Sequence, residues 1–154
     1  MICAVGPLQG CAGMLLNDGT DGLSEEVIGA AIQVHRKFGP GLLENAYHLP
    51  LVWALQKRGL RVETQRPLSI EFEAKVVPRA YLIDMVVDDR LIVESKSIAM
   101  ILPIHIAQVT TYLGLSGIRV GLLINFNVQV LRHGIRRVLH PDLPRTIADM
   151  KPRK

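Results

Sequence analysis

After Ser24, apolar residues return at helical spacing: Val27, Ala31, Val34 and Phe38 form one stripe, which predicts a helix reaching about Phe38. Ser24 offers a capping oxygen, and Glu25 and Glu26 bring to the first turn the charge that a helix N-terminus favours. Gly39-Pro40-Gly41 then breaks the chain, and a second helix is expected from about Leu42 to Arg58, with Gly59 as its stop. Pro50 falls inside that helix and predicts a kink. From Arg61 onward the period shortens to that of strands, predicted at Arg61–Gln65, Leu68–Glu73, Ala80–Val87 and Leu91–Ser95, with Pro67 and Pro78 as punctuation. Pro103 opens a third helix through Leu115, ended by Gly117. Val120–Phe126 is a nearly continuous apolar run and reads as a buried strand, and Val128–Leu131 with Ile135–Leu139 reads as a closing hairpin about His133-Gly134.

This order of elements predicts an α/β fold, a central mixed β-sheet flanked by helices. The chain's 154 residues suffice for one domain, assigned to 23–140, between a poorly patterned leader (1–22) and a basic tail (141–154) with three prolines and four basic residues. Met14 stands close before the patterned region and is a candidate true start. Both cysteines, Cys3 and Cys11, lie in the leader, so neither a disulfide framework nor a zinc site is indicated. No apolar run reaches the roughly 20 residues that span a bilayer, and no charged n-region marks a secretion signal. A cytoplasmic protein is the expectation.

Charge is uneven. Residues 97–154 carry 8 Lys+Arg against 2 Asp+Glu, whereas 1–96 carry 10 against 12. A basic C-terminal part beside an acidic cluster suits a polyanionic substrate, although a solvated tail has the same composition.

The informative stretch is Tyr81–Lys96, where Asp88-Asp89-Arg90 forms a natural turn between two apolar strands. With those three residues in the loop, Val87 pairs with Leu91, and counting outward places Asp84 opposite Glu94 on one face. Opposed carboxylates repel, and a hard divalent cation relieves this most simply. Lys96 points to the same face as Glu94, where an ammonium can orient water or stabilise charge on phosphate. Alternatively, Lys96 simply pairs with Glu94. Both acids interrupt apolar strands, however, so they should be buried, where unpaired charge is expensive.

The Asp84…Glu94-Ser95-Lys96 pattern resembles the PD-(D/E)XK nuclease superfamily, and Gly41-Leu42-Leu43-Glu44-Asn45-Ala46-Tyr47 resembles the motif of the GxxExxY family within it. The resemblance covers about Leu23 to Leu139 and implies a restriction-endonuclease-like core. It implies Asp84, Glu94 and Lys96 as catalytic residues, and Glu44, Asp84 and Glu94 as ligands of Mg²⁺, with Mn²⁺ able to substitute. It also implies a nucleic-acid substrate, DNA before RNA. On spacing alone, Glu44 and Tyr47 share a helix face, and Glu44 equally fits an acid favoured by the helix dipole. Gln108 and Tyr112, four apart on the third helix, match a Gln-x-x-x-Tyr motif of superfamily branches that process DNA ends; they also fit a helix-edge Gln and a core Tyr. His35 and His105 match the family pattern without an assigned role. Together with Tyr47 these residues are candidates for substrate contact or for support of the site. Two positions depart from the family: Leu82 stands where members usually carry Arg, and Pro50 lies two turns past Glu44.

Competing readings are a catalytically silent nucleic-acid-binding or interaction module and an enzyme acting on small phosphorylated molecules, which no nucleotide-binding Gly-rich loop supports. A homodimer is compatible with all of them.

Overall fold

The computed structural model describes residues 19–142, so Cys3, Cys11, the Met14 start and most of the leader and tail lie outside the described residues. Within them, α1 (Thr20–Phe38) and α2 (Glu44–Lys57) precede a hairpin of β1 (Val62–Phe72) and β2 (Lys75–Val87). β3 (Leu91–Lys96), α3 (Pro103–Ser116), β4 (Val120–Asn125), a 3₁₀ turn (Leu131–Gly134) and β5 (Ile135–Leu139) follow. The five strands form one sheet in the order β1-β2-β3-β4-β5. Only β3 and β4 run parallel, joined through α3; the other neighbours are antiparallel. The sheet is therefore mixed, as the element order predicted.

Its two faces are buried differently. Met85, Val87, Leu91, Val93, Leu122 and Ile124 pack with Val27, Ala31, Tyr47, Leu51 and Leu55 of α1 and α2. Ile92, Leu123 and Val138 pack with Ile106, Val109, Tyr112 and Leu113 of α3. Both central strands are buried on both faces, which is why β4 reads as an unbroken apolar run. Gly121 permits the close approach of α3, since a Cβ there would lie 2.6 Å from Val109 Cγ1. No described helix is long and apolar enough to cross a membrane.

Several boundaries differ from the sequence reading, each for a physical reason. Helix α1 begins at Thr20, inside the span assigned to the leader, and Ser24 is not its cap: Ser24 Oγ donates to the Thr20 carbonyl (2.8 Å) one turn earlier. Asp21 supplies the first-turn acid and pairs with Arg137 of β5. Helix α2 continues past Pro50. Pro67 does not divide β1, because β1 is the sheet edge and an edge strand tolerates a missing donor. Pro78 is likewise inside β2, next to Arg79 (φ 52°), where the β1–β2 register slips between Leu68 and Ile70; β3 does not reach this part of β2, so its outer side is an edge. Val128–Leu131 is not a strand: the chain turns through the 3₁₀ segment, and β5 pairs with β4 instead.

Candidate active site

The turn that aligns the site is held from outside. Asp88 and Asp89 both adopt positive φ (50° and 55°), the geometry of a tight hairpin turn. The Arg61 amide donates to Asp88 Oδ1 (2.8 Å), the Asp88 amide donates to the Arg61 carbonyl (2.8 Å), and Asp89 pairs with both Arg61 and Arg66. With the turn held in this way, the register is Val87↔Leu91, Val86↔Ile92 and Met85↔Val93, as counted from the sequence. The ladder stops one pair before Asp84 and Glu94. There the strands part, and Asp84 Oδ2 accepts the Ser95 amide across the gap (3.2 Å). The acidic residues thus occupy the point where β2 and β3 fork.

Glu94 is 2% exposed. Its Oε1 accepts a hydrogen bond from Lys96 Nζ (2.8 Å), while Oε2 is buried with no partner among the described residues. Burial and the nearby Asp84 charge raise its pKa from 4.5 to about 7, and the Lys96 ammonium only partly opposes them. A carboxylate paired with lysine would ordinarily titrate low, so desolvation and like charge win here. For Lys96, burial alone would lower the pKa, but the hydrogen bond to Glu94 and the charges of Glu94, Glu44 and Asp84 outweigh it and raise the pKa. The amine is therefore held as an ammonium.

Glu44 opens α2 and approaches from the other side, its carboxylate 4.0 Å from Lys96 Nζ. Burial raises its pKa, Asp84 adds to the rise, and Lys96 and the Ser97 amide oppose it. The start of α2 is held to the end of β3 by Ser97 Oγ, which donates to the Leu42 carbonyl (2.5 Å). Since α2 runs on through Pro50, the proline leaves Glu44 within reach of Lys96. On α3, Gln108 Nε2 donates to the Tyr112 hydroxyl (2.7 Å). Burial and then the Glu94 charge raise the Tyr112 pKa.

Tyr47, His35 and His105 each bond to backbone groups. Tyr47 stacks on Phe126 (4.5 Å between ring centres), and its hydroxyl bridges backbone, donating to the Gly39 carbonyl (2.6 Å) and accepting from the Leu42 amide (3.1 Å). It braces the Gly39–Gly41 turn. His35 Nε2 bonds the Val128 carbonyl (2.8 Å), and His105 Nδ1 accepts the Leu102 amide (2.9 Å) at the start of α3. Leu82 is exposed on β2.

Asn125 has a place here that spacing did not reveal. It is 1% exposed, and its carboxamide accepts the Ile98 amide (3.0 Å) and donates to the Ile98 carbonyl (2.9 Å). Asn125 also lies beside Lys96 in the parallel ladder, and the Phe126 amide donates to the Lys96 carbonyl (2.8 Å). The exit of β3 is thereby clamped just after the lysine. The available signal was a polar residue closing an otherwise apolar strand.

Hard oxygen donors, like-charge crowding and an orphaned buried carboxylate oxygen fit a divalent cation. Among the described residues no three acidic, His or Cys side chains by themselves form a group that could hold an ion.

Comparison with curated proteins and with solved structures found no match. A family model for the PD-(D/E)XK nuclease superfamily matches residues 21–138, almost the whole span from α1 to β5. The mixed sheet with helices on both faces is consistent with the restriction-endonuclease-like core that the resemblance implied. By the extent of that match, the chain belongs to the PD-(D/E)XK nuclease superfamily.

Proposed function

We propose that this chain is a magnesium-dependent nuclease of the GxxExxY type, with Mn²⁺ able to substitute, that hydrolyses phosphodiester bonds of DNA in the cytoplasm. Superfamily membership supports nuclease activity as such. The observation that carries the metal-dependent reading is the buried, unpartnered Oε2 of Glu94 beside the Asp84 charge. Asp84 and Glu94 would hold the cation, with Glu44 completing its surroundings through water. A bound cation supplies Lewis-acid polarisation of the phosphate and a water more easily deprotonated.

The remaining work falls to side chains already in position. Lys96, kept as an ammonium by its acidic neighbours, suits a donor to the attacked phosphate better than a proton acceptor. Asp84 is oriented by the Ser95 amide and Glu94 by Lys96, so neither carboxylate needs to search for its geometry. Tyr112, with Gln108 beside it, offers a hydroxyl on the α3 side where a phosphate oxygen could be met.

A second reading, a nucleic-acid-binding module that cuts nothing, is favoured by one observation: Lys96 Nζ lies within 2.8 Å of Glu94 and 4.0 Å of Glu44 and already offsets part of the negative charge. Labelled single- and double-stranded DNA and RNA, incubated with protein in Mg²⁺ or Mn²⁺ beside Lys96→Ala and Asp84→Asn, separate the two. Metal-dependent cleavage lost in both variants supports the enzyme. Binding without cleavage by the wild type supports the module.

A further inference from the structure

Two clefts, of about 480 and 490 Å³, lie along the segment between β4 and β5 and share Gln129, Val130 and His133. One reaches Gly41 and Asn127; the other reaches Arg36, in the last turn of α1, and Arg132 in the 3₁₀ turn. The two clefts adjoin at these shared residues. The first abuts the active-site scaffold: Asn127 Nδ2 donates to the Ile98 carbonyl (3.4 Å), two residues after Lys96, and Leu42, next to Gly41, accepts from Ser97. The second is cationic.

Arg36, Arg132 and the ring of His133 make no hydrogen bond or ion pair among the described residues, and all three are exposed. By contrast, Arg137 is paired with Asp21, and Arg136 donates to the carbonyls of His133 and Ile135. None of the residues lining the clefts is acidic. Two unpaired guanidinium groups and an imidazole, opening on clefts that adjoin the scaffold of the carboxylate cluster, present planar N–H donors suited to phosphate oxygens. The carboxylates alone would repel a polyanion, so cations along its path are what bring it in.

On the nuclease reading above, we propose that these adjoining clefts carry the sugar-phosphate backbone of the nucleic-acid strand away from the active site, with Arg36 and Arg132 meeting backbone phosphates and His133 between them. Arg36 also complements the negative end of the α1 dipole. That role predicts a lower melting temperature on its removal and no change in salt dependence. Phosphate contact predicts a change in salt dependence whatever the stability, because each contact releases condensed counterions.

The test is fluorescence anisotropy with labelled duplex and single-stranded DNA, in chelator so that nothing is cut, over a series of salt concentrations. Arg36→Ala/Arg132→Ala is compared with wild type, with Arg36→Lys/Arg132→Lys, and with Lys75→Ala/Arg79→Ala, which removes the same charge from the outer β1–β2 hairpin. The slope of log affinity against log salt is expected to become shallower by about 1 to 2 in the Arg→Ala pair, with affinity at low salt down roughly tenfold or more. The Lys pair should recover most of the slope, and the hairpin pair should keep it. An unchanged slope, or an equal change in the hairpin pair, overturns the cleft assignment while leaving the nuclease reading intact. Failure of the wild type to bind either form of DNA overturns both.

Discussion

Replacing Glu94 with Gln should make the metal-free protein more stable, and only above a particular pH. Burial and Asp84 hold the Glu94 carboxyl at about 7 in the folded chain against 4.5 ordinarily. A raised carboxyl pKa means that the folded state binds the extra proton, so stability falls as pH rises between these two values. Below 4.5 the carboxyl is neutral in both states and no penalty exists; above about 7 the penalty is complete. At 1.36 kcal/mol per unit, the destabilisation amounts to roughly 3 kcal/mol. Gln is close in shape to the protonated acid and never ionises, so Glu94→Gln should recover most of that difference. At roughly 3 °C per kcal/mol for a domain of this size, Tm at about pH 8 should rise by up to ~9 °C, and the gain should shrink towards about pH 5. Differential scanning fluorimetry in chelator across this range measures it. A variant that melts at or below wild type at about pH 8, or with a pH-independent offset, would refute the buried-charge argument.

Two further changes test the scaffold. Asn125→Ala removes the partner of the Ile98 amide and one of the two donors to the Ile98 carbonyl, leaving only the longer bond from Asn127 Nδ2 (3.4 Å). It should lower stability by about 1–3 kcal/mol in urea titrations, and metal-dependent cleavage should fall further than the loss of folded protein explains. Gly134→Ala would place a Cβ 2.2 Å from the Asn125 carbonyl oxygen and 2.9 Å from Val128 Cγ2, so a destabilisation of roughly 2–3 kcal/mol or more is expected in the same titrations.

The fold was legible where chemistry is local. Two apolar strands around Asp88-Asp89-Arg90 allow essentially one hairpin, and its Val87↔Leu91 register is the one observed. The continuous apolar run of β4 announced a strand covered on both faces. Misreadings arose where tertiary context decides. Ser24 followed by two glutamates has the composition of a helix start, yet Leu23 extends the buried stripe one turn earlier and Ser24 bonds within the helix. Pro67 and Pro78 looked like strand ends because their positions at sheet edges are a property of the assembled sheet. At the site, the register brought Asp84, Glu94 and Lys96 to one end of the hairpin. The parting of the strands beyond Met85, and the Asn125 clamp from β4, depend on contacts distant in sequence that no local pattern encodes.

On the proposed function, the fork between β2 and β3 binds a divalent cation through Asp84 and Glu94. Isothermal titration of Mn²⁺ into the wild type and into the Asp84→Asn and Glu94→Gln variants measures this binding. One saturable site per chain is expected in the wild type, lost or weakened at least tenfold in both variants. Equal binding in all three proteins, or no binding to a folded wild type, would contradict it.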